Sequence, residues 1–369
     1  MNLGILLSIG ESLEKQVESG QFERFKKFYL RKYATNFDQV FVFSYGKDPN
    51  FLKEKNLILV SQKSNLHRYF YTLLMPFFER KNFQIVSVFR VMQATGSIPA
   101  ILAKIFYRIP YVTTYGYKYH QFAKIEGKTV TVFFLKILEF LALKFADGVI
   151  VTTKELKSYV GKFVSKEKIF LIPNGVDTQS FKPVNKKFDK NNIKLISVGR
   201  LEVQKNYAAL IRAVSLSKFR TYITLTLIGK GSLKNELKIL AKKLSVKLKI
   251  IDSLPHNQMP NFLQSNDIFL LPSLLEGHPK VLLEALSCGL PAIASEVSGN
   301  TEVIKDSENG LLSSTKSDDI SKKLDSLIES GDIRERIGQR GREYVLKYCD
   351  LRQLVLKEIA ILKKIGKNA

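Results

Sequence analysis

The 369-residue sequence predicts an α/β protein built from two doubly wound domains that face a cleft. Three observations predict it. Short apolar runs alternate with longer stretches of helical periodicity, the pattern of parallel strands joined by crossover helices. The chain is more than twice the commonest single-domain size. A polar, turn-rich stretch at 183–192 interrupts the alternation, which then restarts.

In the first half, strands are expected near 3–7, 39–43, 57–60, 84–89, 111–114, 148–152 and 169–172, with helices at 97–108 and 130–145 among the connections. The run Ile172-Pro173-Asn174-Gly175-Val176-Asp177 closes this series with turn chemistry, since Asn-Gly tolerates positive φ. Phe181-Lys182-Pro183 and the polar residues 185–192 read as a linker. A second series follows near 194–198, 222–228, 248–252, 267–271, 291–294 and 310–312. Helices expected at 318–330, 333–347 and 350–364 add no strand, and would cover an outer face or reach back across the cleft. The predicted division is 1–183 for the first Rossmann-like domain, 184–349 for the second, ligand-binding domain and 350–369 for a final helix that would pack back across the cleft.

Composition narrows the class. Apolar residues make up 45% and charged residues 25%, which excludes disorder, collagen and a membrane bundle. Lys and Arg outnumber Asp and Glu 58 to 34, a net charge of +24 that favours anionic partners such as phosphates, nucleotides or lipid head groups. The charge is spread over both halves without a recognition motif, so nucleic acid is not an expected partner. Cys288 and Cys349 stand far apart, and His67, His120, His256 and His278 lack metal-ligand spacing, so neither a disulfide scaffold nor a metal site is expected. The apolar start is too short for a signal peptide, and the most apolar later stretch, 129–151, carries Lys136, Glu139, Lys144 and Asp147. The expected setting is cytoplasmic, with attachment to the inner membrane face left open.

Two loops carry the chemistry. The strand at 195–198 runs into Gly199-Arg200 and on to Lys205-Asn206. Gly199 permits a tight turn at the strand's carboxyl end. Arg200 and Lys205 offer a planar fork and a point charge to a diphosphate, each charge-assisted bond contributing about 1.5–3 kcal/mol. The strand at 268–271 leads into Pro272-Ser273, then Glu276-Gly277-His278-Pro279-Lys280-Val281-Leu282 and Glu284. Pro279 suits the first turn of a helix, Gly277 lets backbone approach a ligand, and the helix amino terminus offers N–H groups to an anion or hydroxyl. Glu276 falls in the loop at the helix mouth and Glu284 in the second turn, where it either addresses another part of the same ligand or is an ordinary helix residue. That offset does not favour a glycoside-hydrolase pair, whose carboxyls flank one bond at roughly 5–9.5 Å.

With Gly199-Arg200-(x)4-Lys205-Asn206, Pro272-Ser273-(x)2-Glu276-Gly277-(x)6-Glu284-Ala285-(x)2-Cys288-Gly289-x-Pro291 and Asn309-Gly310-Leu311 in order, the sequence resembles the family-4 retaining glycosyltransferases of the GT-B fold, in which two Rossmann-like domains face a cleft. The run 172–183 is similar to the family's interdomain signature. The resemblance implies transfer of a hexose from a nucleotide diphosphate sugar to a lipid-linked or polysaccharide acceptor with retained anomeric configuration. It implies that Arg200 and Lys205 neutralise the departing diphosphate, that Glu284 binds the ribose and that Glu276 faces the donor sugar. Gly229, in Gly229-Lys230-Gly231-Ser232, matches the other glycine turn. Backbone from Gly277 through His278, Pro279, Lys280 and Val281 to Leu282 would meet the donor. Cations at the phosphate make a metal dispensable, and no Asp-x-Asp occurs, so no cofactor beyond the donor is expected.

The first domain departs from the family pattern. Where relatives carry a His after a strand, this chain has Tyr115 before Gly116, with His120 five residues on, so either Tyr115 or His120 would support the sugar. An alternative reading follows from that change: a nucleotide-sugar-binding protein with little or no turnover. Gly10 and Glu11 occupy the family's glycine loop, with Ser12 as helix cap. Gln93 lies at another strand end, in a segment that would either touch the acceptor or serve only as a structural cap, with Ser97 expected to cap the next helix. Arg24, Lys26, Lys27, Arg31 and Lys32 alternate with Phe22, Phe25, Phe28, Tyr29 and Tyr33. That helix either lies on anionic lipid or packs its rings inward.

Overall fold

The computed structural model describes residues 1–52, 54–121 and 129–367. These divide into two compact units, Met1–Pro173 with Arg352–Ala369, and Asn174–Leu351.

The first unit is a parallel sheet of seven strands: β1 (Leu3–Leu6), β2 (Val40–Phe43), β3 (Leu57–Val60), β4 (Val88–Val91), β5 (Tyr111–Tyr115), β6 (Gly148–Val151) and β7 (Ile169–Leu171), in the order β3-β2-β1-β4-β5-β6-β7. Parallel sheets are covered on both faces, which is why these strands are continuous apolar runs such as Val40-Phe41-Val42-Phe43, buried throughout. The fourth strand lies later than the expected 84–89, because Arg80–Gln84 is helical and delays the extended segment. Leu3 pairs with both Val40 and Val88, so the chain reverses its direction across the sheet beside β1. An Arg68–Phe78 helix not foreseen in the sequence follows β3.

The second unit repeats the plan with six parallel strands: β8 (Ile193–Val198), β9 (Ile223–Ile228), β10 (Lys247–Ile251), β11 (Ile268–Leu271), β12 (Ala292–Ser295) and β13 (Leu311–Ser313), ordered β10-β9-β8-β11-β12-β13. Here the reversal falls between β8 and β11, which pair through Leu195–Ile268 and Ile196–Phe269. Ligands of open α/β sheets bind at the strand carboxyl ends beside such a reversal. The loops after β8 and β11 are the two that the sequence marks as carrying chemistry.

The units part at Pro173, earlier than the expected 183, because the segment after it is bonded into the second unit. Val176 N–H donates to the Cys349 carbonyl at 2.9 Å, and Ser287 Oγ and Arg342 Nη1 both donate to the Phe181 carbonyl at 2.6 Å. The final helix, Leu351–Lys367, belongs to the first unit from Arg352 on. Its Glu358 accepts from Arg90 Nε at 2.6 Å and from the Tyr33 hydroxyl, which gives the buried guanidinium of a central strand its counterion. The early basic helix packs Phe22, Phe25, Phe28 and Tyr33 inward, with Tyr29 half-buried, so of the two readings of this segment the inward packing is the one the fold adopts.

Candidate functional site

Two glycine turns make the floor of the site. The Gly199 N–H donates to the Ile228 carbonyl at 2.9 Å, and Leu201 N–H to the Lys230 carbonyl at 2.8 Å. Gly229 has a φ of +150, and a Cβ there would stand 1.9 Å from the Gly199 carbonyl oxygen. No other residue permits this approach, so the turns after β8 and β9 lie backbone to backbone.

The chain then makes a short 3-10 turn, Val203–Lys205, ended by Asn206 in the left-handed region at φ 54. Gln204 ties this turn to the loop after β11. Its Nε2 donates to the Leu275 carbonyl at 2.6 Å, and its carbonyl accepts from Leu274 N–H at 2.8 Å. Asn206 Nδ2 reaches the carbonyls of Pro272 and Thr315 at 3.1 and 3.0 Å. These bonds set Lys205 against Glu276: Nζ lies 2.5 Å from Oε1, with the side chains 12% and 8% exposed. Arg200 stays at the surface, where Nη2 approaches Gln204 Oε1 at 3.4 Å.

The Lys280–Ser287 helix begins one residue later than expected, with Pro279 at its cap rather than inside its first turn, because its ψ of 111 is extended. Glu284 is buried on this helix, and its Oε1 meets His256 Nε2 at 3.1 Å. The His256 ring rests on Phe181 at 5.5 Å between centroids. Glu276 and Glu284 therefore have separate partners, one on the loop after β8 and the other on the loop after β10. His278 is buried, its carbonyl accepts from Asn174 Nδ2 at 2.6 Å, and burial pushes its imidazole down to about 4. Leu282 points into the core, so only its backbone is available, while Val281 is half-buried and Lys280 exposed. Buried Ser273 Oγ, His278 Nδ1 and Asn300 Oδ1 have no hydrogen-bond partner among the described residues. A Cβ on Gly299 would come within 2.1 Å of the Gly277 carbonyl oxygen, so the Ser298–Thr301 turn buttresses the Glu276-Gly277 loop.

In the first unit, Gly10 has a φ of +74 and Lys15 Nζ donates to its carbonyl at 2.6 Å, while Ser12 caps the Leu13–Glu18 helix as expected. Burial raises the Glu11 carboxyl above its ordinary value, against a smaller opposing pull from Lys15. Gln93 Oε1 accepts from the Tyr119 hydroxyl at 3.2 Å. Ser97 does not cap its helix; its hydroxyl pairs with Thr113 at 3.2 Å. Tyr115 is fully buried, nearly parallel to Tyr159 at 5.9 Å, and donates to Glu139 Oε2 at 3.0 Å. Gly116 accepts from Thr152 Oγ1 at 3.1 Å. His120 also converges on Glu139, through its N–H at 3.0 Å and Nδ1 at 2.9 Å, yet its side chain keeps 15% exposure. Of the two candidates beside β5, His120 is the one whose side chain keeps solvent exposure.

Residues 29–180 match the family described as Glycosyltransferase Family 4, and residues 178–344 match Glycosyl transferases group 1. The chain belongs to the family-4 glycosyltransferases. This glycosyltransferase is 32% identical over 239 residues to the UDP-Gal:alpha-D-GlcNAc-diphosphoundecaprenol alpha-1,3-galactosyltransferase of Escherichia coli, a match that covers 60% of the chain and 62% of that protein. It is 31% identical over 173 residues to the N-acetylgalactosamine-N,N'-diacetylbacillosaminyl-diphospho-undecaprenol 4-alpha-N-acetylgalactosaminyltransferase of Campylobacter jejuni, covering 45% of the chain and 46% of that protein. The chain thus spans less than two thirds of either relative. Among solved structures, sucrose-phosphate synthase from Thermosynechococcus elongatus superimposes over 100% of both chains with a TM-score of 0.84 at 17% identity. Anabaena Alr3699/HepE in complex with UDP and glucose gives a TM-score of 0.75 at 18% identity, covering 99% of this chain and 100% of that one. At these identities the likeness establishes the GT-B fold of the glycosyltransferase.

Proposed function

We propose that the protein transfers a hexose from a nucleotide diphosphate sugar to a lipid-linked or polysaccharide acceptor, with retention of anomeric configuration and without a metal ion. The lipid-linked class is favoured by the two relatives, whose names specify diphosphoundecaprenol acceptors. The observation that carries the reading is the Lys205–Glu276 pair at 2.5 Å, set at the reversal between β8 and β11 above two contacting glycine turns.

Rupture of a glycosyl phosphate bond builds negative charge on the leaving oxygen and positive charge on the sugar. Lys205 and Arg200 meet the former, and Glu276 meets the donor sugar while orienting Lys205. Glu284, held by His256, accepts from ribose hydroxyls. The unpartnered Ser273 and His278 atoms supply polar contacts for the donor, since buried polar atoms are ordinarily satisfied. His120, held by Glu139, takes the place of the family histidine. Attack of the acceptor from the leaving-group face gives retention. The reaction belongs on the cytoplasmic side of a membrane, where nucleotide sugars are made.

The test is a panel of nucleotide sugars offered with a short-chain lipid diphosphate and with oligosaccharides, the product anomer being read by NMR. Transfer with retained configuration that survives a chelator supports the proposal. An inverted product, or a strict need for magnesium or manganese, overturns it.

A further inference from the structure

The first unit exposes an unusual amount of aromatic surface on one side of its sheet. The connections β3 to β4, β4 to β5 and β5 to β6 all advance the same way across the sheet, and right-handed crossovers place their helices on one face. These are Arg68–Phe78, Ile98–Tyr107 and Thr129–Lys144. Their inward residues, including Tyr71, Met75, Ala100, Ala103, Ala142 and Leu143, share one core cluster. The helices also touch in sequence order. The Phe77 and Phe106 rings lie 5.2 Å apart, the Tyr107 hydroxyl donates to the Pro76 carbonyl at 3.0 Å, and Lys104 Nζ donates to the Phe145 carbonyl at 2.9 Å, just past the third helix.

The outward residues are not those of a solvated face. Phe70, Phe133 and Phe134 are 64%, 63% and 64% exposed, and Phe78, Phe106 and Phe140 are exposed as well. Soluble proteins seldom leave so many large rings uncovered together. The charges among them have one sign. Arg68, Arg80, Lys81, Arg108, Lys136 and Lys144 are exposed on these helices or the turns that end them. The two acids of the same segments are withdrawn: Glu139 is buried against His120 and Tyr115, and half-buried Glu79 accepts from Asn82 at 2.8 Å. A cavity of about 760 Å³ at the end of the first helix combines both features, with Lys63, Arg80 and Lys81 beside Phe77 and Phe78; Glu79 also lines it, its carboxylate engaged by Asn82 and outnumbered by the three cations.

We propose that this three-helix face rests on an anionic lipid bilayer, with Phe70, Phe133 and Phe134 entering the interface and the Arg80-Lys81 cavity receiving a lipid phosphate. Rings on one side and cations around them are what an anionic interface attracts. No helix among the described residues is long and apolar enough to cross a membrane, which fits a face that lies on one. A second copy of the chain is a poorer occupant, because the two faces would bring like charges together. Membrane contact of this kind does not depend on the transfer reaction.

The chain contains no tryptophan, so Phe134→Trp installs a lone emission probe in the face. With phosphatidylglycerol–phosphatidylcholine vesicles its emission is expected to shift to the blue. With phosphatidylcholine alone the shift is small, and a Tyr222→Trp probe on the second unit stays unmoved. Arg80→Glu with Lys81→Glu in the same background weakens vesicle binding roughly tenfold or more. Circular dichroism melts matching the parent protein establish that the variants fold. Unmoved emission from the Phe134→Trp probe, equal response to neutral vesicles, or a blue shift that follows protein concentration without lipid would overturn the proposal, the last in favour of self-association.

Discussion

Lys205 and Glu276 are 71 residues apart in the chain and 2.5 Å apart in space, each with little solvent around its charge. Gln204, bonded on both sides to the Leu274-Leu275 backbone, makes this meeting a property of the loops rather than of two flexible side chains. Removal of Lys205 releases Glu276 and, on the proposed function, deletes the cation for the leaving diphosphate. Lys205→Ala is expected to lower kcat by roughly 100-fold or more, the scale for loss of one preorganised charge partner, with a smaller change in donor KM. Steady-state kinetics with the donor varied would check it, and wild-type kcat would remove Lys205 from the chemistry.

Glu284 should behave oppositely. On the proposed function Glu284→Ala takes a charged acceptor from the donor's hydroxyls, so donor KM is expected to rise roughly 10- to 100-fold while kcat changes little. His256→Ala leaves the carboxylate in place without its holder and has a smaller effect of the same kind. Calorimetric titration with the nucleoside diphosphate alone separates binding from turnover; equal affinity in wild type and Glu284→Ala is the outcome that refutes the role.

The buried pair of Arg90 and Glu358 governs stability rather than catalysis. Burial alone would lower the Arg90 pKa, but Glu358 holds it above its ordinary value. Glu358→Ala strands the guanidinium and the Tyr33 hydroxyl together, at a cost of about 3–5 kcal/mol. The urea midpoint of the first unit should fall accordingly, and an unchanged midpoint would contradict the pairing.

His278 makes stability depend on pH. Its folded value of about 4 lies below the ordinary 6.5 because burial disfavours the charged ring. Between these values the unfolded chain binds a proton that the folded chain does not. Stability is therefore lost as the pH falls through this window, by about 3 kcal/mol on reaching the folded value. Melting temperatures from pH 7 to 4 should fall less steeply in His278→Gln than in wild type, and parallel slopes would count against the assignment.

Much of this architecture was legible because parallel strands buried on both faces announce themselves as unbroken apolar runs, as in Ile268-Phe269-Leu270-Leu271. The strand-end loops were legible because Gly199 with Arg200 and Lys205, and Glu276 with Gly277, directly follow two strands, although Arg200 and Lys205 read on position alone equally as a solvated surface pair. What escaped was tertiary. Glu139 reads as a charge interrupting an apolar helix, and only the fold reveals it as the meeting point of Tyr115 and His120. His256 carries no local signal for its contact with Glu284. Basic residues among aromatics occur in both the 22–33 segment and the three-helix face, and burial alone distinguishes them. The unit boundary was set at 183 because the polar run 185–192 reads as a linker, whereas the bonds that tie 176–181 into the second unit leave no local signal.

The return of the Leu351–Lys367 helix to the first unit makes that unit discontinuous in sequence. A ribosome releases the counterion of Arg90 only after the entire second sheet has been made. An exchange of halves between relatives at one junction would leave each hybrid with a mismatched last helix, whereas two junctions, near 173 and 351, would transplant the second unit whole.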